Sequence, residues 1–551
     1  MSTLTGRNPS ERSERRFALR WLIWANVVAL LAVAIFFRAW RLDHVPGING
    51  DEAWMGVQAQ RWIDGQLETL TTPTGNVLNV FHFGPQVVLH TFCKPSIGLL
   101  RLPVLISGLM ALLVNYLLCS YTFGRRPAVW SSVALAVLPI NIAYCRFAWD
   151  ASQTVLFSLP VIYFSLLAVQ RRQQPIRWLA LGGLFQAFAV VVHPTNVVLG
   201  PFPASALFIL AWPALVKSIF AAKSRWIWRL SWLTFALLMM GVALSIWPWV
   251  QLAGRRLVSP VHYMVFIQNF FDLLTGTTVY RYIAGAPGGT GVFSTFGLTL
   301  FVGVLTVVAG YGLWQYGWDR VEQRLLAVGT IATVWMFFLF AGPMAIAAGN
   351  ERYGICLIAP GSLFVAFGLY WYSMQRPAVT SLAGIAAGWL LVFGFYTNYF
   401  QFIDRTGGEA HFAFRTGQIE PKQAIAHYLL GEAGHCDSVV AVATEWWSYW
   451  PLAYLTHHDQ NVHVVACPDG DARFGQAPGL PAAVPYLEGA ALQLLRRQGT
   501  EIRFVEFSET GRASEVEQRL LSAGIETNST AVYDELQRPV ITVVWPRARA
   551  F

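Results

Sequence analysis

Asp51 and Glu52 are adjacent carboxylates, preceded by the turn residues Pro46, Gly47, Asn49 and Gly50 and followed by a stretch that reads as a helix. They stand just beyond the first strongly apolar run of the chain, residues 21–37. A dehydrated carboxylate beside a membrane is costly, so the pair is expected in a water-accessible loop at the outer face. An ionised carboxylate within reach of a hydroxyl can serve there as a general base. His82, Arg146, Asp150, His193, Glu351 and Arg352 also interrupt apolar surroundings. Arginine, histidine or a metal ion can be aimed at the charge that develops on a departing phosphate. A base and several cations on one face suit transfer of a group carried on a lipid phosphate.

The elements that must position these residues are membrane spans. Of the 551 residues, 55% are hydrophobic and only 13% charged. Soluble domains carry about 25% charge, so the composition predicts a polytopic α-helical membrane protein. With roughly 20 apolar residues per span, about eleven transmembrane helices are expected: 21–40, 102–121, 128–145, 151–169, 178–192, 196–215, 230–250, 292–316, 325–346, 353–374 and 378–399. Residues 1–20 form a basic cytoplasmic tail, and no small-residue cleavage site follows the first span, which reads as a retained signal anchor. Arg and Lys recur in 124–127, 171–177, 217–229, 319–324 and 375–377, the loops this count places inside. The net charge of +9 therefore needs no nucleic-acid partner.

The same map places 41–101, 144–150, 193–196, 251–291, 347–352 and everything beyond about 400 outside. All the polar residues named above fall on that side. At His193-Pro194 two apolar runs meet abruptly, either as a broken pair lining a cavity or as a tight turn. Residues 21–400 thus form a membrane domain whose outer loop, 41–101, carries the acidic pair.

Residues 401–551 read as a soluble extracytoplasmic α/β domain. Strands are expected at 439–443, 462–466, 502–507 and 540–545, with helices at 446–455, 483–497 and 513–523. Glu445-Trp-Trp-Ser-Tyr-Trp450 is an aromatic helix face suited to core packing, to docking or to stacking on a sugar. No phosphate-binding glycine loop or metal-site spacing is present. Cys436 and Cys467 share this domain and either pair in an oxidising compartment or stay as thiols.

Five short motifs in order resemble the polyprenyl-phosphate-sugar branch of the C-type integral membrane glycosyltransferases, which includes protein O-mannosyltransferases and lipid A aminoarabinose transferases. Gly50-Asp-Glu-Ala53 is similar to their Asp-Glu motif, His82-Phe-Gly-Pro85 to their His-Pro-Pro element, and Leu100-Arg-Leu-Pro103 to their Arg-Leu-Pro element. Tyr144-Cys-Arg-Phe-Ala-Trp-Asp150 resembles their Ser-Arg stretch ending in Asp, and Asn350-Glu-Arg-Tyr353 with Pro360 their late Arg-Tyr element. The resemblance covers about 20–400 and not the tail.

It implies an enzyme of the bacterial inner membrane that takes sugar from a polyprenyl-phosphate donor and hands it, with inversion, to a lipid, glycan or protein. Asp51 would be the base, and Glu52 would support it or share a metal. His82, Arg146, Asp150, His193, Arg352 and Tyr353 would bind the lipid phosphate or sugar. Two adjacent carboxylates can ligate Mg²⁺ or Mn²⁺ and can equally work without one. Two departures touch the phosphate site: His193 stands where many relatives carry Lys, and His82-Phe-Gly-Pro85 lacks the first proline. A transporter of lipid-linked sugars and a non-catalytic glycan- or lipid-binding protein are the alternatives. Ionisable groups near the bilayer midplane and an internal repeat would favour the transporter.

Overall fold

The computed structural model describes residues 9–67, 70–72, 75–171, 173–221, 251, 253–287, 295–375, 377–466 and 499–547. The expected span 230–250, the expected helix 483–497 and Cys467 lie outside them.

The membrane part is a bundle of long helices: α1 (Pro9–Ala39), α4 (Ile97–Phe123), α7 (Thr154–Gln170), α8 (Pro175–Val192), α9 (Pro201–Ala221), α10 (Pro260–Thr275), α11 (Thr295–Gly312), α12 (Val321–Phe340), α13 (Ile358–Gln375) and α14 (Pro377–Phe395). Two shorter helices, α2 (Gly50–Ile63) and α3 (Val80–Phe92), fill the first long connection. Eight segments among the described residues are long and apolar enough to cross a membrane. The expected span 128–145 is not continuous: it splits into α5 (Arg125–Val137) and α6 (Pro139–Tyr144). Leu138 between them is extended at φ −63°, ψ 119°, the conformation a following proline favours. A 13-residue helix is about 20 Å long, short of a bilayer core. At His193-Pro194 the chain makes a tight turn, a 3₁₀ stretch over Pro194–Leu199 in which Asn196 donates its side-chain amide to the Ala189 carbonyl at 2.7 Å.

Contacts of Arg101 with Leu42, Arg146 with Phe37 and Val45, Arg352 with Trp149 and His193 with Tyr353 gather the C-terminal ends of α1 and α8 with the N-terminal ends of α4, α7 and α13 at one end of the bundle. That end carries residues 41–63, 144–153, 193–196 and 349–357.

The C-terminal region adds α15 (Pro421–Ala433), α16 (Trp446–Thr456) and α17 (Arg512–Ser522) around five strands: β1 (Ser438–Ala443), β2 (Val462–Ala466), β3 (Thr500–Phe507), β4 (Thr527–Tyr533) and β5 (Pro539–Pro546). The sheet order is β2-β1-β3-β5-β4. β1 pairs parallel with β2 and β3, whereas β5 runs antiparallel to β3 and β4. The strand alternation sorts β1 by face: Val442 packs with Ala513, Val516 and Leu520 of α17, and Val439, Ala441 and Ala443 with α15 and α16.

That second face is not confined to the tail. One apolar cluster joins Val439, Val505 and Ile541 of the sheet, Trp450 and Leu452 of α16, and Ile48, Trp54, Val57 and Leu100 of the membrane part. α16 lies along α2, and the contact is close. A Cβ on Gly56 would fall 2.5 Å from the Tyr454 ring. Gly56→Ala is therefore expected to lower stability by about 1–3 kcal/mol, the usual cost of forcing an extra methyl into a packed contact. A melting curve in detergent identical to that of the parent would show that the two helices separate freely.

Candidate active site

The two carboxylates opening α2 have different surroundings. Asn49 caps the helix, its Oδ1 accepting from the Glu52 N–H at 3.1 Å and from Trp149 Nε1 at 3.2 Å. Asp51 and Glu52 sit in the first turn, where the helix dipole favours negative charge. From there they diverge.

Glu52 is fully buried. Its Oε1 accepts the Ala148 N–H at 3.0 Å and its Oε2 meets Arg101 NH2 at 2.8 Å. Burial pushes its pKa up, against the opposing pull of Arg101 and the Ala148 N–H. Arg101 also donates to the carbonyls of Leu42, Pro46 and Gly47, so this pair locks the irregular loop before α2.

Asp51 is about one-third exposed, as is its partner Arg352, whose NH1 lies 3.1 Å from Asp51 Oδ2. Its other oxygen, Oδ1, accepts from Trp446 Nε1 at 3.1 Å. The Arg352 guanidinium lies over the Trp149 ring at 5.4 Å, and its NH2 is 3.5 Å from the Tyr353 hydroxyl. Tyr353 in turn packs its ring 5.6 Å from that of His193. His193 turns Nδ1 to Thr195 Oγ1 at 2.7 Å, which leaves Nε2 for a ligand. Burial lowers the His193 pKa, with Asp150 opposing and Arg352 reinforcing the shift. Asp51, Asp150, His193, Arg352 and Tyr353 thus form one group.

Two other expected residues have different surroundings. Arg146 does not face this group: it is fully buried and donates to the carbonyls of Phe37, Arg38, Arg41 and Val45. Its guanidinium lies 4.8 Å from the centre of the Phe400 ring. It closes the C-terminal end of α1, where unpaired carbonyls need a donor. His82 is also fully buried, and neither ring nitrogen has a hydrogen-bond partner among the described residues. Burial pushes its imidazole down to about 4. At neutral pH it carries no charge to offer a phosphate.

A metal shared by Asp51 and Glu52 does not fit these partners. Arg101 places a positive charge on Glu52, and drawing Glu52 away would leave that guanidinium buried and uncompensated. No three His, Cys, Asp or Glu side chains converge on a common point among the described residues.

The sequence assigned site roles to Asp51, His193 and Arg352 but none to Arg101, Trp149 or Trp446, although all three fall in stretches it singled out. Arg101 had a usable signal: an arginine at the start of an apolar span needs an internal partner. Trp446 stood out only as part of an aromatic helix face, with nothing to tie it to Asp51, 395 residues away.

Comparisons with known proteins bear on this arrangement. Residues 89–249 match the model of the family described as dolichyl-phosphate-mannose-protein mannosyltransferase. No curated protein sequence matches the chain. Among solved structures, ArnT from Cupriavidus metallidurans in the apo state superposes with a TM-score of 0.52 at 13% identity, over 96% of this chain and 98% of its own. The same protein bound to undecaprenyl phosphate gives a TM-score of 0.53 at 14% identity, over 97% and 99%. The chain shares the fold of ArnT, and residues 89–249 match the dolichyl-phosphate-mannose-protein mannosyltransferase family.

Proposed function

We propose that the protein transfers a sugar from a polyprenyl monophosphate carrier to a hydroxyl of a lipid, glycan or protein, with inversion, at the outer face of a bacterial inner membrane. The N-terminus would be cytoplasmic and the C-terminal domain periplasmic. The observation that carries this reading is the one-third-exposed pair Asp51–Arg352, with Trp149, Tyr353, His193 and Asp150 gathered around it at one end of the bundle.

In the proposed reaction Asp51 accepts the proton of the acceptor hydroxyl. The hydroxyl oxygen attacks the anomeric carbon opposite the phosphate, and the bond from that carbon to the phosphate oxygen breaks. Its electron pair leaves with the polyprenyl phosphate, which gains a second negative charge. Arg352, His193 and Tyr353 stabilise that growing charge. Before the donor arrives, Arg352 is held by Asp51. The donor phosphate competes for the same guanidinium, so its binding would release the base at the moment it is needed. Glu52 and Arg101 hold the loop that presents Asp51, and no step runs through a metal.

The phosphate half of this scheme has a pH signature. In the free protein burial keeps His193 below its ordinary range, so the imidazole is neutral at neutral pH. A bound phosphate favours the charged form. Donor binding therefore takes up a proton, is strongest at low pH, and weakens as pH rises through the pKa of the bound state. The KM for donor is expected to rise on the order of tenfold between about pH 6 and about pH 8, and to flatten in His193→Lys. A flat profile in the parent protein would remove His193 from the phosphate site. Assaying purified protein against undecaprenyl-phosphate-linked hexoses and pentoses tests the reaction class.

A further inference from the structure

α16 belongs to the C-terminal domain, yet its first residue reaches the proposed base. Trp446 is 4% exposed and donates its indole N–H to Asp51 Oδ1 at 3.1 Å. The approach is built into α2. A Cβ on Gly50, the residue before Asp51, would fall 2.4 Å from Trp446 Cδ1. Only a residue without a side chain lets the indole lie against the start of the helix.

The same face is pinned along its length by polar contacts. Tyr454 donates to the Ser96 carbonyl at 3.0 Å and shares a hydrogen bond with His90 Nε2 at 2.8 Å. Arg61 lies over the Trp450 ring at 5.8 Å, and His457 Nε2 meets Asp64 Oδ2 at 2.9 Å. These contacts fix α16 against α2 and so fix where the indole sits.

An indole N–H is a donor only and cannot exchange a proton with a carboxylate at working pH. Its single donor engages one carboxylate oxygen and so chooses which oxygen stays available. We propose that Trp446 is a positioning residue of the active site: it holds Oδ1 of Asp51 so that Oδ2 takes the acceptor's proton once the donor phosphate draws Arg352 away. The C-terminal domain thereby completes the site on the membrane domain. This rests on the proposal that Asp51 is the base.

The test uses full-length protein in liposomes and the undecaprenyl-phosphate-linked sugar that the parent consumes. Trp446→Phe keeps an aromatic ring against Gly50 and removes the N–H, while Trp446→His returns a ring N–H. Trp446→Phe is expected to lower kcat about tenfold or more, in line with a hydrogen bond to a charged group, with KM for donor unchanged. Trp446→His is expected to recover part of the lost kcat. If kcat falls with no recovery in Trp446→His, the role is structural and the proposal is overturned. It is equally overturned if Trp446→Phe behaves as the parent while Asp51→Asn is inactive. If Asp51→Asn keeps its activity, the base assignment fails first and the role of Trp446 with it.

Discussion

Asp51→Asn is expected to lower sugar transfer by about 10²–10⁴-fold, the range for removing a general base, in protein that still folds and inserts. The substitution is nearly isosteric, and Asp51 is one-third exposed, so the packing of α2 is not at stake. The amide can still accept from Trp446 Nε1, but it cannot take a proton from a hydroxyl. Its effect should fall on kcat, because the groups proposed to hold the donor phosphate, Arg352, His193 and Tyr353, remain. Losing Asp51 also frees Arg352 from its resting partner, so donor affinity is expected to hold or to increase. Titrating undecaprenyl phosphate into parent and variant checks that part. Weaker binding in Asp51→Asn would mean that Asp51 contacts the donor instead of waiting for the acceptor.

The second large effect concerns stability. Arg101→Met removes the partner of a fully buried carboxylate and strands the carbonyls of Leu42, Pro46 and Gly47. Breaking one side of a buried ion pair costs about 3–5 kcal/mol, because the remaining charge has neither water nor a partner. A marked drop in melting temperature in detergent is expected. The double variant Glu52→Gln with Arg101→Met should recover part of it, since the stranded charge is then gone. Equal melting of Arg101→Met and parent would mean that water reaches Glu52 and that the pair is not what holds the loop.

These two predictions separate neighbours that look alike in the chain. Asp51 and Glu52 are consecutive acids in one helical turn, about 100° apart around the axis. One therefore turns to the exposed group around Arg352 and the other into the protein. Which acid takes which side depends on Arg101 and the Ala148 N–H, whose positions are tertiary. The arginines divide the same way. Arg146 and Arg352 each stand at the end of an apolar run, and either type can hold an anion or close a helix. Arg146 does the latter because it lies within reach of the carbonyls of Phe37, Arg38, Arg41 and Val45 at the end of α1.

Other features were legible because they are local or periodic. The alternation of basic loops puts 41–101, 144–150, 193–196 and 347–352 on one side, and the helices do bring residues of all four together at one end. Strands β1, β2, β3 and β5 announce themselves by apolar runs, and β4 does not. It is an edge strand with most side chains exposed, so Thr527–Tyr533 lacks the buried face that a periodic pattern records. The split of 128–145 had its sign in Pro139, which an apolar count ignores. The aromatic helix Trp446–Thr456 was recognisable as a helix with a packing face, but the surface it covers lies on a different part of the chain.

The most direct measurement of the central claim is release of undecaprenyl phosphate from labelled undecaprenyl-phosphate-linked sugars by the purified, reconstituted protein with envelope lipid and glycan acceptors. At least one donor is expected to be cleaved, with its label moving to an acceptor in inverted anomeric configuration, and both events are expected to be lost in Asp51→Asn. Label that crosses the bilayer still attached to its carrier, or cleavage that persists in Asp51→Asn, would contradict it.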